Sequence, residues 1–122
     1  MKLIDKFFTI ITSDINDGEL IYNVNLNKEH YIYKAHFPNN PITPGVCILQ
    51  MIQELIEQYL NINLELQILH NVKYMSIISP ISNPEIAIHI SYSHSNENVK
   101  VKGIIKTENI VFTKLSATYH KL

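Results

Sequence analysis

One histidine in this chain has a spacing that suits proton transfer beside the start of a helix. His36 opens the segment HFPNNPITPGV, at the end of which Pro44 and Gly45 begin a long apolar run. The first turn of a helix presents unpaired backbone N–H groups that can bind a negatively charged oxygen. An imidazole base beside such donors is the arrangement that removes a proton next to a carbonyl group. The sequence therefore predicts a site that combines His36 with the helix start at Gly45.

Three prolines hold the chain between this histidine and the helix in a stiff loop. Pro38, Pro41 and Pro44 fall close together, which excludes a helix there. We predict Thr43 as the N-cap and Pro44 as the first helical residue, because these residue types suit those positions. Asn61 and Asn63 are expected to end the helix.

The predicted helix is apolar around most of its circumference, which indicates that the rest of the fold encloses it. At about 100° per residue, its polar side chains fall on one narrow stripe. This polar stripe consists of Gln50, Gln53, Glu54 and Glu57. We expect Cys47, near the start of the helix, to be a small core residue.

Alternating apolar and polar residues predict strands on both sides of the helix. One strand is expected before it, at residues 20–26, and residues 31–33 are expected to be extended. Residues 3–12 are apolar without a pattern that separates helix from strand, and residues 14–18 are expected to form a turn. After the helix only strands are expected, around residues 66–78, 86–92, 99–105 and 110–119. This order predicts a single α+β domain over residues 1–122, with an antiparallel sheet around one long helix.

The composition excludes several functions. The formal net charge is −1, which gives no case for nucleic-acid binding. All ten basic residues are lysines, so bidentate recognition of phosphate or carboxylate by arginine is excluded. A lone cysteine and the lack of a signal-peptide pattern favour the cytoplasm. No apolar run is long enough to cross a membrane, and no histidines have the spacing of a metal site, so neither is expected.

The segment HFPNNPITPGVCILQ resembles the HFPxxPxxPGVLxxE signature of the FabZ-type 3-hydroxyacyl-[acyl-carrier-protein] dehydratases. The histidine, the phenylalanine, three prolines, the glycine and the valine match in position. The resemblance implies the hotdog fold, in which an antiparallel sheet wraps around one central helix. It also implies a homodimer or larger homo-oligomer with active sites at the dimer interface. The implied reaction is that of fatty acid biosynthesis, in which a hydro-lyase converts a 3-hydroxyacyl thioester to a trans-2-enoyl thioester without a cofactor.

The same resemblance implies roles for four residues. His36 would be the base or proton shuttle, and Gly45 would offer its backbone N–H to the thioester carbonyl. Gln50 stands where the signature has a carboxylate that reaches in from the partner subunit. An amide cannot give a proton to a leaving hydroxide, but Gln50 can still hold the hydroxyl in place by a hydrogen bond. Glu54, one turn further along the helix, is the alternative source of a carboxylate.

Two other functions remain open. A hotdog thioesterase would need Glu54 to activate water, and a non-catalytic subunit would bind an acyl thioester beside an active homologue. The substrate carrier is expected to be acyl carrier protein or coenzyme A, and Tyr31 and Tyr33 are candidates to line an acyl tunnel. Four lysines are candidates to contact an acidic carrier, namely Lys34, Lys73, Lys100 and Lys102.

Overall fold

The computed structural model describes residues 2–35 and 39–122, and within them six strands form one sheet. The elements follow in the order β1 (Phe8–Asn16), β2 (Glu19–Leu26), α1 (Tyr31–Ala35), α2 (Gly45–Leu60), β3 (Leu64–Tyr74), β4 (Glu85–His94), β5 (Asn98–Lys106) and β6 (Val111–Lys121). In space the strand order is β1-β2-β4-β5-β6-β3, and every neighbouring pair is antiparallel. The predicted strands after the helix are confirmed.

The inner face of the sheet packs against α2 and forms the core. Alternate residues of β2, β4 and β5 are buried with helix residues such as Met51 and Leu55 in one apolar cluster. At Gly103 on β5, an added Cβ atom would lie 2.9 Å from Cδ1 of Ile52. Glycine at this position therefore lets the helix approach the sheet. The predicted α+β arrangement, a sheet around one long helix, is confirmed.

The short helix α1 corrects the expectation that residues 31–33 are extended. Its first turn is held by His30, whose Nδ1 accepts a hydrogen bond from the N–H of Ile32 at 3.1 Å. The carbonyl of His30 also accepts the N–H of Tyr33 at 3.0 Å. A side-chain acceptor at the start of a helix outweighs the weak extended preference of aromatic and β-branched residues.

Two expected boundaries also change. Thr43 is not the N-cap of α2, because Pro44 holds the extended cap position and makes no side-chain cap bond. The hydroxyl of Thr43 instead lies 2.8 Å from the hydroxyl of Tyr33. The turn expected at residues 14–18 is shorter, since β1 continues to Asn16. The end of α2 at Asn61 is confirmed, with a left-handed backbone conformation of φ 56°.

Candidate active site

The N-terminus of α2 opens into a small apolar cavity. The cavity has a volume of about 280 Å³ and lies against Gly45 and Ile48. The end of β3 and the residues after it complete its wall, from Tyr74 to Ile78. The N–H of Gly45 lies in the first turn of α2, where no carbonyl of the helix itself can accept it. This N–H is therefore suited to binding an oxygen atom.

Tyr74 explains why the helix begins with glycine. A Cβ atom on Gly45 would lie 2.6 Å from the hydroxyl oxygen of Tyr74 and 2.9 Å from its Cζ. A larger residue would push the half-exposed Tyr74 ring away from the helix start. Sequence reasoning treated Tyr74 only as part of a strand, because a contact between residues so far apart leaves no local signal.

His36 lies outside the described residues, so its predicted role stays a prediction. The chain on both sides of it is held together by the hydrogen bond between the hydroxyls of Tyr33 and Thr43. Tyr33 belongs to α1, which precedes His36, and Thr43 immediately precedes the start of α2. This bond therefore brings both flanks of the histidine segment to the helix start.

Glu54 is a buried carboxylate that binds the N-terminal segment of the chain. Only 3 % of Glu54 is exposed. Its oxygens accept the N–H of Leu3 at 2.9 and 3.0 Å and the N–H of Ile4 at 2.8 Å. A carboxylate is stable in such surroundings only when hydrogen-bond donors replace water, and here backbone N–H groups do so.

Gln50 donates a hydrogen bond from Nε2 to Oε2 of Glu54 at 2.8 Å. Because the carboxylate oxygen is an acceptor only, the nitrogen of the amide must face it. The orientation of the Gln50 amide is thus set by Glu54. In turn, the position of Glu54 is set by the backbone at Leu3 and Ile4.

The rest of the polar stripe attaches α2 to β3. Gln53 donates from Nε2 to the carbonyl of Leu64 at 3.0 Å, and Glu57 accepts the N–H of Leu64 at 2.9 Å. All four stripe residues border a second cavity, of about 570 Å³. This arrangement gives the stripe a structural role in positioning the N-terminal segment and β3.

Within one chain, Gly45 and Gln50 face different cavities. The five-residue separation turns the two positions about 140° apart around the helix and moves them about 7.5 Å apart along it. The described residues of a single subunit therefore do not combine the helix start with the polar stripe.

Other candidate residues have ordinary structural surroundings. Cys47 is buried, as predicted, and burial raises the pKa of its thiol, which disfavours a nucleophilic thiolate. Tyr33 is buried in the core, with its hydroxyl on Thr43, whereas Tyr31 is exposed. Lys34 forms an exposed ion pair with Glu29 at 3.6 Å.

The described residues contain no group of three or more histidine, cysteine, aspartate or glutamate side chains that could hold a metal ion. In the same two ranges, no helix has the length and hydropathy needed to cross a bilayer.

The wrapped helix and the HFPNNPITPGV segment together define a hotdog-fold protein of the FabZ dehydratase type. A family model described as ApeI-like, ApeI dehydratase, matches residues 12–113. The chain therefore belongs to the ApeI-like family.

Two bacterial relatives with curated names are similar along most of their length. The 3-hydroxyacyl-[acyl-carrier-protein] dehydratase FabZ of Lactobacillus helveticus is 27% identical over 134 residues, covering 98% of this chain and 88% of the relative. The FabZ of Rhodospirillum rubrum is 24% identical over 119 residues, covering 89% of this chain and 71% of the relative.

Solved structures confirm the hotdog fold. The dehydratase heterocomplex ApeI:P from Xenorhabdus doucetiae superimposes with a TM-score of 0.72 at 13% identity, covering 92% of this chain and 96% of that one. A hypothetical thioesterase with coenzyme A from Streptococcus pneumoniae gives a TM-score of 0.65 at 12% identity, covering 94% of this chain and 85% of that one. At such low identity these similarities show the fold alone.

Proposed function

We propose that this protein is a hydro-lyase that eliminates water from a 3-hydroxyacyl thioester, carried by acyl carrier protein or coenzyme A, to give the trans-2-enoyl thioester. The observation that carries the proposal is the helix start at Gly45, which opens into an apolar cavity at the end of the histidine segment. The family match and the FabZ relatives support the same reaction class.

In the proposed reaction, His36 takes the proton from the carbon next to the thioester carbonyl. Negative charge then develops on the carbonyl oxygen, where the N–H of Gly45 and the positive end of α2 stabilise it. The bond between the β-carbon and the hydroxyl oxygen breaks as the α,β double bond forms. The proton held by His36 passes to the departing oxygen, which leaves as water.

Gln50 holds the leaving hydroxyl in this proposal and is not a proton donor. Its amide is oriented by Glu54, whose oxygens already accept N–H groups from Leu3, Ile4 and Gln50. We therefore assign Glu54 as a positioning residue that acts through Gln50. Because the Gln50 amide cannot give a proton, His36 alone must supply it. The reaction then lacks a separate general acid, which contributes about 10²- to 10⁴-fold.

A second copy of the chain would bring Gln50 to the helix start of its partner. In the described part of the chain, β3 pairs only with β6, and its other edge remains open. This edge strand carries the partly exposed apolar side chains of Leu66, Ile68 and Leu69. An unpaired apolar edge favours pairing with another strand, so we propose that two subunits associate along β3.

The amide at position 50 also favours a second candidate function, that of a non-catalytic subunit. Such a subunit would bind the acyl thioester at Gly45 and leave the chemistry to an active homologue. The similarity in fold to the dehydratase heterocomplex ApeI:P of Xenorhabdus doucetiae supports this candidate, because that protein assembles with a different subunit. A thioesterase is less well supported, because Glu54 already accepts four hydrogen bonds.

One assay separates these functions. The purified chain is incubated with 3-hydroxyacyl and 2-enoyl thioesters while enoyl absorbance and free thiol are followed. Dehydration or hydration that is lost in His36→Ala supports the hydro-lyase. Thiol release that is lost in Glu54→Gln identifies a thioesterase instead. Binding without turnover identifies the non-catalytic subunit.

A further inference from the structure

The outer face of the sheet, opposite α2, has an open trough of about 400 Å³ that the proposed reaction does not use. It runs across the middle of β4, β5 and β6. On β5, Val99 and Val101 are buried. Because successive side chains of a strand point to opposite faces, Lys100 and Lys102 point outward into the trough.

Short hydroxyl side chains flank both lysines. In the strand register, each lysine stands directly between one residue of β4 and one of β6. Because directly opposed residues of an antiparallel pair point to the same face, these side chains line the trough with the lysines. The two rows are Ser91, Lys102 and Ser116, and Ser93, Lys100 and Thr118.

His70 on β3 closes one side of the trough. Its Nε2 lies 2.7 Å from Oγ1 of Thr118, which fixes the imidazole beside the row that contains Lys100. The trough thus combines two ammonium groups, an imidazole and four hydroxyls. Each of these groups is a hydrogen-bond donor in at least one of its forms, and the bond between His70 and Thr118 uses one donor of that pair.

Among the described residues that line the trough, two are lysines and none is a carboxylate, and Glu19 on β2 stands directly opposite Ser91 at its edge. In the described part of the chain, Lys34 and Glu29 form an ion pair within 4 Å, away from the trough, and the two trough lysines form none. Further along the face, Lys73 stands directly opposite Lys114 in the register of β3 and β6. These two lysines do not line the trough, but they add to the positive charge of the same face. The same charge disfavours association of this face with its own copy.

We propose that the trough binds the phosphate group of a phosphomonoester. A phosphate has three terminal oxygens, which can be shared between ammonium groups and the hydroxyls that surround them. The short serine and threonine side chains leave space for the anion to approach the sheet. The ligand is either a free organic phosphate or a phosphomonoester lipid headgroup, and both present the same chemistry. The proposal is independent of the reaction at Gly45.

Inorganic phosphate tests the proposal directly. The full chain is titrated with phosphate at constant ionic strength, adjusted with sodium chloride, while backbone amide resonances are followed by NMR. We expect saturable shifts confined to the strands around Lys100 and Lys102. The double variant K100Q/K102Q should bind at least about tenfold more weakly, because it loses both charged hydrogen-bond donors.

A matched control removes the same charge elsewhere. Lys6 and Lys28 are exposed and lie outside the trough, so K6Q/K28Q should bind phosphate like the parent chain. Absence of saturable shifts, or equal weakening in both double variants, would overturn the proposal. Vesicles of phosphatidylcholine with and without phosphatidic acid then distinguish the two sources. Sedimentation with phosphatidic acid that is lost in K100Q/K102Q identifies a lipid headgroup, and phosphate binding without it identifies a free phosphate.

Discussion

Replacing Glu54 by glutamine should separate the N-terminal segment from α2. The substitution keeps the size of the side chain but removes its charge and turns one acceptor oxygen into a donor. In the parent chain, both oxygens accept hydrogen bonds from Leu3, Ile4 or Gln50. Only one oxygen, without its charge, would then remain to accept the buried N–H groups of Leu3 and Ile4.

The expected loss of stability follows from these contacts. A hydrogen bond to a charged group contributes about 1.5 to 3 kcal/mol, and an unsatisfied buried donor costs about 1 to 3 kcal/mol. Because the bonds share one carboxylate, their contributions do not add, and we expect the free energy of unfolding to fall by about 2 to 4 kcal/mol. A domain of this size has about 5 to 15 kcal/mol, so the variant should still fold.

Denaturant unfolding and hydrogen exchange measure this effect. Glu57→Gln is the matched control, since the Glu57 side chain lies on the same face of α2 but accepts the N–H of Leu64 and does not contact the N–H groups of Leu3 or Ile4. In Glu54→Gln the amides of Leu3 and Ile4 should lose their protection from exchange, whereas in Glu57→Gln they should keep it. Equal destabilisation by both substitutions, with both amides still protected, would refute the assigned role of Glu54.

Three further predictions concern the proposed site and assembly. Gly45→Ala should lower the dehydration rate, because Tyr74 must move, while the free energy of unfolding falls by about 1 kcal/mol or less. Adding Tyr74→Leu to this variant should restore part of the rate. A full rate in Gly45→Ala alone would count against a role for the helix start. Gln50→Glu should raise the dehydration rate about tenfold or more, because the new carboxyl beside Glu54 would have a raised pKa and could donate a proton. An unchanged rate would show that the amide does not limit the reaction. Ile68→Lys on the open edge of β3 should convert a dimer to a monomer in analytical ultracentrifugation, and an unchanged mass would exclude association along this edge.

Much of the fold could be predicted because alternation and capping are local signals. The strict alternation in β2 and β4 defined both strands, and the apolar circumference of α2 indicated an enclosed helix. Helix α1 was missed because His30 stabilises its first turn through a side-chain hydrogen bond. Thr43 was wrongly assigned as a cap because Tyr33, ten residues earlier, takes its hydroxyl.

The site was predictable in its residue types but not in its contacts. The polar stripe on α2 was visible from periodicity, yet the backbone partners of Glu54 are the N–H groups of Leu3 and Ile4, about fifty residues away. Backbone groups have no residue-specific signal, so no sequence pattern reveals such a bond. The contact of Tyr74 with Gly45 has the same origin in the tertiary fold.

The central claim is that His36 transfers the proton beside the helix start at Gly45. This claim is tested most directly by deuterium exchange at the α-carbon of a 3-hydroxyacyl thioester. The rate at which solvent deuterium is incorporated is compared between the parent chain and the His36→Gln variant by mass spectrometry. We expect the variant, with unchanged folding by circular dichroism, to lose at least about 10²-fold of the rate. An unchanged rate of deuterium incorporation in the variant would contradict the proposed mechanism.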